Sequence, residues 1–125
     1  MPFRTIWEKE GIKWEFYDFV TSREIWEANE IFFGDPRSKT AKYQLVHTLE
    51  TTSVEWKPID IVEVSVNDVA ASRVIRRLKM AYIARDVKIR NKIEKYVEIS
   101  RNLNSDWHFR GFEDEAAARH WISGK

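Results

Sequence analysis

Apolar and polar positions divide the chain into segments of period two and segments of helical period. Between residues 12 and 20, Ile12, Trp14 and Phe16 recur at every second place, which puts them on one face of a strand. A shorter apolar segment, 3–8, carries Phe3, Ile6 and Trp7 and is followed by the polar run Glu8-Lys9-Glu10-Gly11. The two segments predict a hairpin, with Gly11 supplying a positive φ at its turn. Thr21 then has the chemistry of a helix N-cap, and Glu24, three residues on, completes a capping box. Ile25, Ala28 and Phe32 form one apolar stripe, with Glu24, Glu27 and Glu30 opposite. Gly34 fits the left-handed position that ends a helix, and Asp35-Pro36-Arg37-Ser38 a type I turn.

Further along, 43–49 predicts a strand with Tyr43, Leu45, His47 and Leu49 on one face, followed by a polar connection over 50–57. In 59–77, β-branched Ile59, Ile61, Val64 and Val66 would suit a strand. Pro58 and the spacing of Val66, Val69, Ala70, Arg73 and Arg77 favour a helix instead. Residues 80–84 are a short apolar run of the kind covered on both faces of a sheet. Asp86 caps a helix whose inward stripe is Ile89, Ile93, Tyr96, Val97 and Leu103, with Arg90 and Glu94 spaced to pair. A last strand over 107–112 and a helix capped by Asp114, with Ala118, Trp121 and Ile122 inward, complete the chain. Strands alternating with amphipathic helices predict one α/β domain over 1–125, its sheet largely parallel after an antiparallel first strand.

Composition narrows the class. Of 125 residues 43% are apolar, and six Trp, seven Phe and four Tyr exclude a disordered chain. No apolar run approaches the ~20 residues of a membrane helix. The first ten residues lack the features of an export signal, so a cytoplasmic location is expected. Without cysteine there is neither a disulfide nor a thiolate metal site. The net charge of +1 conceals a dipole: residues 73–95 hold nine Lys or Arg against two acids. Lys88, Lys92 and Lys95 share the outer side of their helix, a surface suited to steer an acidic partner, a nucleic acid or an anionic membrane. Acidic first helix and basic third helix can pair between two copies, which favours a homodimer. Aromatic interleaving and helix-turn-helix punctuation are lacking, so nucleic acid is not an expected partner.

Catalytic chemistry does not assemble in the sequence. His47, His108 and His120 are the only histidines, and neither His108 nor His120 has a serine or acid at informative spacing. His47, mid-strand beside Tyr43 and Leu45, is the strongest candidate of the three. There is no paired-histidine metal motif, calcium loop or Gly-rich phosphate loop. Enzyme activity, metal and cofactor are therefore not expected.

The strand with Trp14 and Phe16, the helix holding Glu24, Ala28 and Asn29, the Gly34-Asp35-Pro36-Arg37 turn before Tyr43-Gln44, and the ending from Trp107 to Phe112 with Ala118, Trp121 and Ile122 resemble the SpoIIAA-like proteins. These are small bacterial domains of STAS-related fold. The resemblance implies a mixed, mostly parallel sheet of about five strands with about four helices. It also implies two functions: partner switching, as in anti-sigma-factor antagonists, or binding of a lipid-like ligand between sheet and helices. The antagonists carry a phosphorylatable serine in an Asp-Ser-Ser-Gly-like turn. This chain departs from that pattern and offers Thr52 and Ser53 as its hydroxyls. The preferred expectation is a non-enzymatic interaction domain that binds a protein partner or itself through its first helix and the following turn. An apolar-ligand or lipid carrier is the alternative. The expected ligand or partner surface comprises Trp26, Phe32, Phe33, Asp35, Arg37, Tyr43, His47 and Tyr82, and a carrier cavity would be lined by Trp26, Phe32, Tyr43 and Tyr82.

Overall fold

Two strands set the frame: β1 (Phe3–Trp7) runs antiparallel to β2 (Gly11–Thr21). Then β3 (Tyr43–Glu55), β4 (Lys79–Ile83) and β5 (His108–Phe112) add in sequence, each parallel to the one before. The computed structural model describes residues 2–124. Helices α1 (Ser22–Phe33), α2 (Pro58–Ala71) and α3 (Val87–Asn102) make the three crossovers, and α4 (Glu115–Ile122) follows β5. Each crossover advances one strand in the same direction, so a common hand puts α1, α2 and α3 on one face of the sheet. The two buried clusters agree with that layering. Trp14, Phe16, Val46, Tyr82 and Phe109 pack with residues of α1, α2 and α3, whereas Tyr43, Leu45, Ala81 and Ile83 pack with Ala118 of α4. The expected mixed α/β sheet of five strands with four helices is therefore the observed one.

Local sequence explains the element ends. Glu24 takes the backbone N–H of Thr21 at 2.8 Å and opens α1 as a capping box does. Asp86 and Asp114 accept from the N–H groups of Ile89 (3.0 Å) and Ala117 (2.8 Å). The α1 stripe drives Phe32 to complete burial among the rings of Trp7, Trp14 and Phe33, with centroids 5.8, 5.9 and 5.2 Å away.

Several boundaries differ from expectation. The polar stretch 50–57 is not a connection, because β3 continues to Glu55. The carboxyl half of β2 pairs with it, setting Val20 opposite Val54, and the Thr51 hydroxyl donates to the Phe16 carbonyl at 3.1 Å. Thr52 and Ser53 therefore sit exposed on a strand, not in a turn opening a helix. Helix α2 stops at Ala71, short of Arg77. There the Ser72 hydroxyl donates to the Val69 carbonyl (2.6 Å) and accepts the N–H of Asp106 (3.1 Å), and Arg77 adopts φ 59°. Gly11 lies in β2 without a positive φ. Its requirement is proximity, since a Cβ there would stand 2.5 Å from the Tyr43 carbonyl oxygen. Gly34 ends α1 at φ −79°, because the chain passes directly into a 3-10 turn, Pro36–Thr40, capped by Asp35. Leu103 is exposed beyond α3, and Glu94 receives the Tyr82 hydroxyl at 3.3 Å in place of a pairing with Arg90.

Candidate functional site

On the α4 side of the sheet, polar groups join into one ion network. The Tyr43 hydroxyl donates to Glu8, whose carboxylate is also held by the Arg119 guanidinium at 3.0 and 2.8 Å. Arg119 reaches Glu115 at 2.8 Å, and Lys13 pairs with Glu115 at 2.9 Å and Glu15 at 3.1 Å. Hydrogen bonding from Arg119 holds Glu8 below the usual carboxylate range, while burial, with Glu8 beside it, pushes Tyr43 up to about 12. His47 is half-buried on this face, opposite Glu15 in the strand register, and its Nδ1 meets no partner. Three carboxylates, Glu8, Glu15 and Glu115, thus share two cations, Arg119 and Lys13. The arrangement fastens α4 and the β1–β2 hairpin to the sheet.

The remaining expected site residues do not converge. Trp26 and Phe33 are half-buried, each packing part of its ring against the core. Asp35 holds Arg37 bidentately at 3.0 and 2.8 Å and is pulled down to about 2 by those bonds. The Arg37 guanidinium lies 4.3 Å over the Trp7 ring. Tyr82 points to the opposite face from Tyr43 and His47. Lys88 and Lys95 are exposed, but Lys92 is half-buried and donates to the Trp56 carbonyl at 2.9 Å, which removes it from their shared surface.

A cavity of about 100 Å³ lies between the sheet and helices α1, α2 and α3. None of Trp26, Phe32, Tyr43 and Tyr82 lines it. It extends from Gln44 and Met80, near the amino ends of β3 and β4, to Ser22, Trp56 and Asp60, beyond the carboxyl ends of β2 and β3. The wall is mostly apolar, but one polar cluster stands in it. The buried Asp68 carboxylate accepts from the Tyr96 hydroxyl (2.6 Å) and from the amides of Asn29 (3.2 Å) and Asn67 (3.4 Å). Burial pushes Asp68 up to about 6 against the pull of those donors. Burial, with Asp68 beside it, raises Tyr96 well above its ordinary value. Asp68 has no cationic partner among the described residues, and the buried side-chain nitrogens of Trp14 and Trp56, which also line the cavity, meet no partner. The sequence did hold a signal for these positions: Asn29 and Asp68 are polar residues within the inward stripes of their helices.

The outward side of α2 is the other unusual surface. Ile59, Val62 and Val66 follow at helical spacing and stay exposed, and Val74, in the turn after the helix, is exposed as well. No group of His, Cys, Asp and Glu suited to a metal ion occurs among the described residues. No helix among them is long and apolar enough to cross a membrane.

Comparison with known proteins places the fold. The chain is similar to an uncharacterized protein of the DUF3478 family with a SpoIIAA-like fold, from Shewanella loihica PV-4, at a TM-score of 0.56 and 11% identity. The similarity covers 96% of this chain and 91% of that one. No family model matches the sequence, and no curated protein does. The fold is thus SpoIIAA-like, as the resemblance implied, and at this identity the likeness concerns fold alone.

Proposed function

We propose that this chain is a non-enzymatic interaction domain that pairs with a second copy of itself through the outward face of α2. The observation that carries this is the exposed apolar stripe with the turn after it: Ile59 is 58%, Val62 40%, Val66 52% and Val74 76% exposed. Four β-branched side chains exposed along one stretch are costly to leave in water and mark an interface. A second copy suits the strip by charge. Its acid, Glu63, and its base, Arg73, stand ten residues apart with Asp68 midway. Two antiparallel copies crossing at that midpoint set each Glu63 against the other's Arg73, which stands in the turn just past the helix end. The same register sets Val62 against Val74 and Val66 against Ala70. Glu63 forms no ion pair among the described residues, and Arg73 spends only part of its donor fork on the carbonyls of Asn104 (3.0 Å) and Leu103 (3.4 Å).

This moves the expected contact from α1 to α2, for a physical reason. The α1 aromatics pack at least part of their rings against the core, whereas the outer valines of α2 have nothing to cover them. A lipid carrier fits less well, since a cavity of about 100 Å³ is too small to enclose an acyl chain. Sedimentation velocity across a dilution series tests the proposal. The wild-type chain is expected to dimerise and Val66→Glu to remain monomeric. A monomeric wild type at high concentration, or a dimer that Val66→Glu leaves intact, contradicts it.

A further inference from the structure

The Asp68 carboxylate is a negative charge inside the protein with only dipoles for partners. Buried ions are ordinarily paired, because removing one from water without a counter-charge is strongly unfavourable. Around the same cavity stand Trp14, Phe16, Trp56 and Tyr96, all at least nine-tenths buried. Aromatic faces attract cations through the ring quadrupole, most strongly where water is excluded. The Gln44 carboxamide opens onto the cavity and offers an oxygen for an N–H.

We propose that this cavity binds a small organic cation, a protonated amine on a compact apolar body, held between the four aromatic side chains, the Asp68 carboxylate and the Gln44 amide. At about 100 Å³ the cavity admits a short branched alkyl group or a single ring extending to the mouth, not an acyl chain. The charges facing the cavity set the orientation. Asp68 lies on the inner side with Tyr96 and Asn29, while Lys92 and Asp60 stand toward the end where α2 begins. The Lys92 ammonium is tied to the Trp56 carbonyl at 2.9 Å, and Asp60 takes the N–H of Lys57 at 3.0 Å. Lys92 and Asp60 offset one another at that end, so the unbalanced charge is Asp68, and an ammonium is drawn inward to it.

Calorimetric titration of the full chain with isobutylamine and benzylamine, against isobutanol and benzyl alcohol, tests this near pH 7.5. The amines are expected to bind at least ~10-fold more tightly than the alcohols of the same shape. Asp68→Asn should remove that preference and leave the alcohols unchanged. Alcohols that match the amines, no amine binding at millimolar concentration, or an unaltered amine affinity in folded Asp68→Asn each overturn the proposal. A second readout requires no variant: lowering the pH to about 5 protonates most of Asp68 and should weaken the amines ~10-fold while sparing the alcohols. A flat amine profile overturns it as well. Amine binding is independent of self-association, so either can fail without the other.

Discussion

Replacing Asp68 by Asn keeps the shape of the buried polar cluster and removes its charge, which makes the effect on stability calculable. Burial raises Asp68 from the ordinary 3.8 to about 6. The gap corresponds to ~3 kcal/mol, at 1.36 kcal/mol per pH unit. Because the folded protein binds this proton more tightly than the unfolded chain does, its stabilising effect is complete below pH 3.8 and is lost as pH rises through about 6. The carboxamide of the Asp68→Asn variant cannot ionise and loses nothing over that range. Urea unfolding of both proteins, at one protein concentration and several pH values from about 4 to 7.5, isolates the term as a difference. The difference should favour Asp68→Asn by up to ~3 kcal/mol more at pH 7.5 than at pH 4. Other carboxylates titrate equally in both proteins and cancel. A difference that does not change with pH would refute the account of Asp68 as a buried, unpaired charge.

Other expectations follow from packing and charge. Phe32→Ala, which empties a fully buried site ringed by Trp7, Trp14 and Phe33, should cost ~3–5 kcal/mol in urea unfolding. Gly11→Ala places a Cβ 2.5 Å from the Tyr43 carbonyl oxygen and should cost ~1–3 kcal/mol, the backbone having to move apart. Arg119→Ala releases Glu8 and Glu115 on a partly exposed surface, so its cost should be ~1 kcal/mol. Both carboxyls are held below the ordinary 4.5, so their contribution is present above that pH and lost as pH falls beneath it. The penalty of Arg119→Ala should accordingly shrink in acid, and a constant penalty would contradict the network.

Much of this architecture is legible in the chain because local signals agree with the packing. The Ile12-Trp14-Phe16 alternation, the Asp86 and Asp114 caps and the Ile89-Ile93-Tyr96-Val97 stripe each predict their element, and each is found. Failures come where a distant partner decides. Residues 50–55 look like a polar loop until β2 supplies the backbone for them to pair with. Lys92 looks like a surface lysine until the Trp56 carbonyl lies beside it. The α1 aromatics suggested an exposed strip because their spacing exceeds one stripe, yet the hairpin covers Phe32 and Phe33 packs against it. The cavity is harder still to anticipate, since it belongs to no single element. Asp68 is near Asn29 and Tyr96 only after three helices settle on one face of the sheet.

The pairing of α2 with its own copy can be tested by a single cross-link. The chain has no cysteine, so a disulfide reports only the position at which one is introduced. In the antiparallel register Val66 faces Ala70 of the other copy, so the double variant Val66→Cys/Ala70→Cys sets its cysteines in facing pairs. Ile31→Cys, exposed on α1, supplies the comparison. Under mild oxidation the double variant should become a covalent dimer and Ile31→Cys stay a monomer. Rapid linkage through Ile31→Cys, with none through the double variant, would mean the interface lies elsewhere.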